Sequence, residues 1–135
     1  LELAEAERDA ASERVGLVSS RFIARVLDAV PQAALTGDPG ARLPGTASFT
    51  FAGVSGEAVL LELERRGVVS SSGSACAAGS DEPSHVLTAL GLDGPTAQTA
   101  VRFTLASTTT DAELGAAVTA LRASLDALGA LSTRR

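Results

Sequence analysis

Two stretches of this chain alternate apolar and polar side chains residue by residue: Ala47, Phe49 and Phe51 against Ser48 and Thr50, then Val101, Phe103 and Leu105 against Arg102 and Thr104. A period of two marks a strand with one buried face, and something else must cover that face. The covers are also legible. Leu114, Val118, Leu121, Leu125 and Leu128 follow the 3.6-residue helical period behind a Thr110/Glu113 capping box. A second helical pattern runs from Leu3 to Val30, with Val15, Val18, Phe22 and Val26 as its stripe, widened by Ile23, Leu27 and Val30, until Pro31 stops it. Ser55 is placed to cap a third helix through Arg66 that buries Val59, Leu60 and Leu63 and ends at Gly67.

Shorter signals fill the gaps. Ala33 to Thr36 reads as a short strand, Gly37-Asp38-Pro39-Gly40 and Pro44-Gly45 as turns, and Val68-Val69 as the opening of another strand. Pro83 suits the first turn of a short helix burying Val86, Leu87 and Leu90 and stopping at Gly91, and Gly94-Pro95 marks a turn. The order helix, strands, helix, strand, helix, strand, helix predicts an α+β fold: a small mixed or antiparallel sheet with helices packed on one face. Because side chains alternate along a strand, Arg102 points away from the helix-packed face.

A chain of 135 residues that is 45% apolar is of a size for one compact domain. No window approaches the roughly 18 consecutive apolar residues of a membrane span, and Leu1-Glu2-Leu3-Ala4-Glu5 lacks the basic start of a signal peptide, so a cytoplasmic protein that does not engage membranes is expected. A net charge of −5 and four phenylalanines as the whole aromatic complement argue against nucleic-acid binding. The first helix would be on the order of 40 Å long at 1.5 Å per residue, more than a small domain needs. Residues 1–30 are therefore read as an inter-domain helix and residues 31–135 as a small C-terminal domain. With no methionine, the chain is expected to be a processed or truncated piece of something longer.

Cys76 is the only cysteine, so neither an internal disulfide nor a multi-cysteine metal site is open to the chain, and no metal is expected. It lies in Ser70-Ser71-Ser72-Gly73-Ser74-Ala75-Cys76-Ala77-Ala78-Gly79-Ser80, a run without one bulky side chain that is expected to form a mobile loop. Such runs also serve as linkers, and a lone cysteine is often a small buried hydrophobe. Its place between two ordered elements favours a partly exposed nucleophile.

The wording of this region goes further. Ser71-Ser72-Gly73-Ser74-Ala75-Cys76, Gly79-Ser80, Glu82-Pro83-Ser84-His85-Val86-Leu87 and Ala89-Leu90-Gly91-Leu92 closely resemble the cysteine loop and following helix of group I (NifS-like) cysteine desulfurases, which belong to the class V aminotransferase family of fold type I pyridoxal-phosphate enzymes. Leu43-Pro44, Val54-Ser55-Gly56-Glu57, Val101-Arg102-Phe103-Thr104-Leu105 and Thr109-Thr110 fall in the family's order, so the resemblance runs from about Thr36 to the last helix. It implies that Cys76 attacks the sulfur of L-cysteine, leaving a persulfide and L-alanine, and that Arg102 grips the substrate carboxylate. A planar guanidinium fork suits that task, although a strand arginine without such a match would be read as a solvated side chain. The chain has no lysine to hold pyridoxal phosphate as a Schiff base, so the cofactor is expected on an N-terminal large domain.

The resemblance further implies a homodimeric full-length protein and a sulfur-acceptor partner, in iron-sulfur assembly, transfer-RNA thiolation, a cofactor pathway or DNA sulfur modification. His85 is given no catalytic role. The sequence departs from the family after Leu105, where Ala106-Ser107-Thr108 replaces the usual Gly-Arg-Phe and removes a positive charge and a glycine. Two other readings of the chain stay open at this point: a stand-alone persulfide carrier or partner-binding module, and a structural domain with an inert, buried thiol.

Overall fold

The Thr110/Glu113 pair caps its helix reciprocally. The Glu113 carboxylate accepts from the Thr110 N–H at 2.7 Å, and the Thr110 hydroxyl accepts from the Glu113 N–H at 3.3 Å. Those bonds open a helix at Asp111–Ser132, and the Thr110 N–H and hydroxyl, both donating to the Glu113 carboxylate, hold that carboxyl below its ordinary pKa. In a computed structural model that describes residues 2–73 and 82–132, this is the last of nine elements. They are α1 Glu2–Ala29, β1 Ala33–Leu35, β2 Thr46–Phe51, α2 Gly56–Arg65, β3 Ser71–Ser72, α3 His85–Ala89, α4 Gly94–Ala97, β4 Ala100–Thr104 and α5 Asp111–Ser132.

The strands form one sheet in the order β1-β2-β4-β3, antiparallel throughout, as the expected α+β fold allows. Its covered face carries Ala47, Phe49, Phe51, Val101 and Phe103, against which α1 packs Phe22, Val26 and the following Val30, α2 packs Val59 and Leu63, and α5 packs Leu114, Val118, Leu121 and Leu125. All four phenylalanines of the chain meet in this core. Phe22 stands edge-on to Phe103 at 5.1 Å and to Phe49 at 6.2 Å, and Phe49 contacts both Phe103 and Phe51. The helices are also cross-linked over their polar flanks. Arg25 of α1 donates to the Asp111 carboxylate at 2.6 Å and so keeps that carboxyl below its usual range. Arg66 binds the Glu62 carboxylate and reaches the Ala123 carbonyl of α5.

Ala100 lies on the opposite face of β4, where Leu87 of α3 and Ala97 of α4 cover it in a second, smaller cluster. Of the three residues expected to be buried by α3, only Leu87 is: Val86 and Leu90, four residues apart, share the helix face turned away from the sheet and are 57% and 55% exposed. Gly94-Pro95 opens the short helix α4, capped by the Asp93 carboxylate accepting from the Thr96 N–H at 2.8 Å, where a simple turn was expected. Leu60 is only half-buried on α2.

The expected strand at Val68-Val69 lies instead at Ser71-Ser72. Gly67, at φ +78°, and Val68, whose N–H bonds the Leu63 carbonyl at 3.0 Å, are consumed in closing the C-terminus of α2, and Val69 is 88% exposed. Sheet pairing then anchors Ser71, Ser72 and Gly73, part of a run expected to have nothing to hold it, and the Gly73 N–H bonds the Ala100 carbonyl at 3.1 Å. Residues 74–80 of that run, with Cys76, lie outside the described residues.

The start of α2 shows a further departure. Ser55 occupies the N-cap, but its hydroxyl makes no capping bond. The helix start is held by the sheet: the Gly56 N–H donates to the Gln98 carbonyl at 3.1 Å, and a Cβ on Gly56 would come within 2.5 Å of the Ala100 carbonyl oxygen. Gly115 of α5, by contrast, faces open space. Gly56→Ala should therefore destabilise the fold by about 1–3 kcal/mol through overpacking, whereas Gly115→Ala should stabilise it by up to about 1 kcal/mol through helix propensity. Denaturant titration reads both, and the same sign for the two variants would contradict the close approach at Gly56.

Candidate functional site

β4 lies between β2 and β3, and its central residues Val101 and Arg102 have a cross-strand neighbour on both sides. Arg102 pairs with Ser48 on β2 and with Ser71 on β3, and residues paired across strands direct their side chains to the same face. That face is the one the large helices leave uncovered. Along β2, β4 and β3 it carries Thr46, Ser48, Thr50, Ala100, Arg102, Thr104 and Ser71, hydroxyl groups around one cation with no carboxylate among them. The Arg102 side chain is exposed, as expected, and makes no hydrogen bond or ion pair with any described residue.

The hydrogen-bond parity of the ladder sharpens the geometry. The Leu105 N–H bonds the Gly45 carbonyl at 2.8 Å, and hydrogen-bonded pairs recur at every second step, so Ser48 and Arg102 form a non-hydrogen-bonded pair with Cα atoms about 4.5 Å apart. Beyond Ser48, Thr36 is not equivalent to the other hydroxyls. Its N–H and its hydroxyl both donate to the Ser48 carbonyl, at 2.9 and 3.1 Å.

The segment that holds Cys76 begins beside this row. Gly73 is the last described residue before it, and a Cβ there would meet Ala100 Cβ and Leu87 Cδ1, both at 3.0 Å, so glycine permits the close approach of β3's end to β4 and α3. Beyond that segment, Pro83 lies beside Gly94. His85 is exposed at the first turn of α3.

At Ala106-Ser107-Thr108 the backbone does not call for the missing glycine. No non-glycine residue among those described has positive φ, and the turn closes on Thr109, whose N–H donates to the Ala106 carbonyl at 3.0 Å while its hydroxyl accepts from the Ala106 N–H at 3.1 Å. Among the described residues, no group of three or more His, Cys, Asp or Glu side chains could hold a metal ion, and no helix is long and apolar enough to cross a membrane.

The structure thus brings Arg102 together with Ser48 and Ser71, which sequence reading did not single out. Their signal was the strand parity around Phe49 and Val101, but only the register decides which serine stands opposite which residue.

The aminotransferase class-V family model matches residues 3–116. The cysteine desulfurase NifS of Azotobacter vinelandii is 45% identical over 100 residues, 74% of this chain and 25% of that protein. An IscS-like cysteine desulfurase of Mycobacterium tuberculosis is 40% identical over 128 residues, 88% of this chain and 33% of that protein. The chain therefore spans about a quarter to a third of the length of these curated relatives. Among solved structures, a NifS-like protein from Rickettsia africae superposes with a TM-score of 0.76 at 22% identity, covering 92% of this chain and 31% of that one, a likeness of fold.

Because the Arg102 guanidinium has no described partner, Arg102→Ala should change unfolding free energy by no more than about 0.5 kcal/mol, the range of an ordinary surface substitution. Denaturant unfolding checks this, and a larger loss would make Arg102 part of the scaffold.

Proposed function

The chain belongs to the class-V aminotransferase family, and from that premise we propose that it is the part of a cysteine desulfurase that grips L-cysteine and receives its sulfur. The observation that carries this reading is that Arg102, without a partner among the described residues, stands in a row of described hydroxyl groups, with Gly73, three residues before Cys76, at the end of β3 beside it. Cys76 is three residues beyond Gly73, so covalent geometry alone keeps its Cα within about 11 Å of the Gly73 Cα.

Arg102 binds the substrate carboxylate through two parallel charge-assisted hydrogen bonds and fixes which way the substrate's sulfur faces. The Cys76 thiolate then attacks that sulfur. The S–S bond forms as the substrate's C–S bond breaks, the carbon skeleton gains a proton and leaves as L-alanine, and the transferred sulfur stays on Cys76 as a persulfide. The family depends on pyridoxal phosphate, an electron sink for the substrate carbon when bound. No residue of this chain fits its usual covalent attachment, since there is no lysine. In this reading the remaining length of the protein holds it.

The two-part arrangement gives α1 a role as the inter-domain helix of residues 1–30. Its later half supplies Phe22 and Val26 to the core, while Arg8, Asp9 and Ala10 near its start are exposed. A sulfur-acceptor protein then relieves Cys76 of its persulfide.

Two variants of the full-length protein test the assignment. Cys76→Ser should retain cysteine binding and lose sulfide release, because a hydroxyl is a poor nucleophile toward sulfur, and wild-type turnover by it would remove Cys76 from the reaction. Arg102→Ala should lower kcat/KM for L-cysteine by about 2–5 kcal/mol, the scale for losing one partner of a desolvated charge pair. An unchanged kcat/KM would leave Arg102 a solvated residue of the sheet.

A further inference from the structure

A guanidinium carries five N–H donors, and a carboxylate engaged side by side takes two of them. When a bound substrate shields Arg102 from water, the other three need acceptors, because a donor left unsatisfied on burial costs much of what the ion pair contributes. The described neighbours that can supply them are few. Ser48 and Ser71 flank Arg102 directly in the register, both half-buried, and neither hydroxyl has a hydrogen-bond partner among the described residues. The Thr36 hydroxyl is already committed to the Ser48 carbonyl, and Thr46, Thr50 and Thr104 stand one ladder step away along the strands. Those two bonds from Thr36 also fix the backbone from which Ser48 projects.

We propose that Ser48 and Ser71 are positioning residues for carboxylate recognition: their hydroxyl oxygens accept from the Arg102 N–H groups that the substrate does not use and hold the guanidinium plane for a carboxylate. Ser48 is the stronger of the two, because its non-hydrogen-bonded pairing sets it closer to Arg102 than Ser71 stands. The inference rests on Arg102 being the carboxylate anchor. It deepens that reading by making the specificity for an α-carboxylate a property of a three-residue row across β2, β4 and β3. The row selects for the carboxylate, so an amine of the same skeleton without that group gains nothing from the serines.

The test uses full-length protein and equilibrium binding by calorimetry, with L-alanine and its carboxylate-free counterpart ethylamine as probes. Ser48→Ala should weaken L-alanine binding on the order of tenfold, the effect of one hydrogen bond to a charged group, and leave ethylamine binding unchanged. Ser71→Ala should do the same to a smaller extent, and Ser48→Thr, which keeps the hydroxyl on a residue suited to a strand, should restore the wild-type value. In turnover the same variants should raise KM for L-cysteine with little change in kcat. If Ser48→Ala and Ser71→Ala bind L-alanine as wild type does while Arg102→Ala does not, the positioning role is wrong and the arginine assignment stands. Equal weakening of L-alanine and ethylamine would show a merely structural effect and overturns the proposal. Unchanged L-alanine binding in Arg102→Ala overturns the arginine assignment and the positioning role with it.

Discussion

The contact on which the rest of the structure depends is the edge-on meeting of Phe22 with Phe49 and Phe103. It joins α1 to the two central strands at once, and each ring is fully or almost fully withdrawn from water. A buried phenylalanine contributes about 1.5–3 kcal/mol through its area alone, and T-shaped pairs add about 0.5–1.5 kcal/mol more. With no other aromatic type in the chain, this cluster concentrates the large rings in one place. The leucine stripe of α5 and Val59 and Leu63 of α2 close around it.

Covering one face so completely has a consequence on the other. Every second residue of β2 and β4 is pinned inward by Phe49, Phe51, Val101 and Phe103, so the intervening residues have no choice of face. Arg102 is held out by the burial of its two neighbours in sequence, and Ser48 likewise. A one-residue slip in the β2–β4 register would put a guanidinium into the phenylalanine cluster. The core thereby enforces the polar row, and the row needs no interaction of its own to stay in place. This division suits a site built to receive an anion, because a cation tied to a structural carboxylate would have to give up that partner to bind another.

The tolerance of the fold to the Ala106-Ser107-Thr108 turn follows the same logic. Its backbone bonds are supplied by Thr109 and the helix begins at once behind it, so the local shape does not depend on the residues that differ from the family's usual wording. What the change removes is a cation, which leaves Arg102 as the cation of the described hydroxyl row.

Sequence alone determined the elements whose periodicity is long or paired with a chemical stop signal: α1 up to Pro31, α5 behind its capping box, and the two alternating strands. It also determined the side of the sheet on which Arg102 stands, because parity is a local property. It misjudged short segments, where a few residues carry too little pattern to outweigh their surroundings. Val68 looks like a strand residue and is used to finish a helix, while Ser71 and Ser72, with poor strand propensity, become β3 because β4 has an open edge beside them. The pairing of Ser48 and Ser71 with Arg102 belongs to tertiary structure alone. It joins Arg102 to positions 54 and 31 residues before it in the chain, distances across which no local pattern carries a register and only the packing of the sheet against its helices can set one.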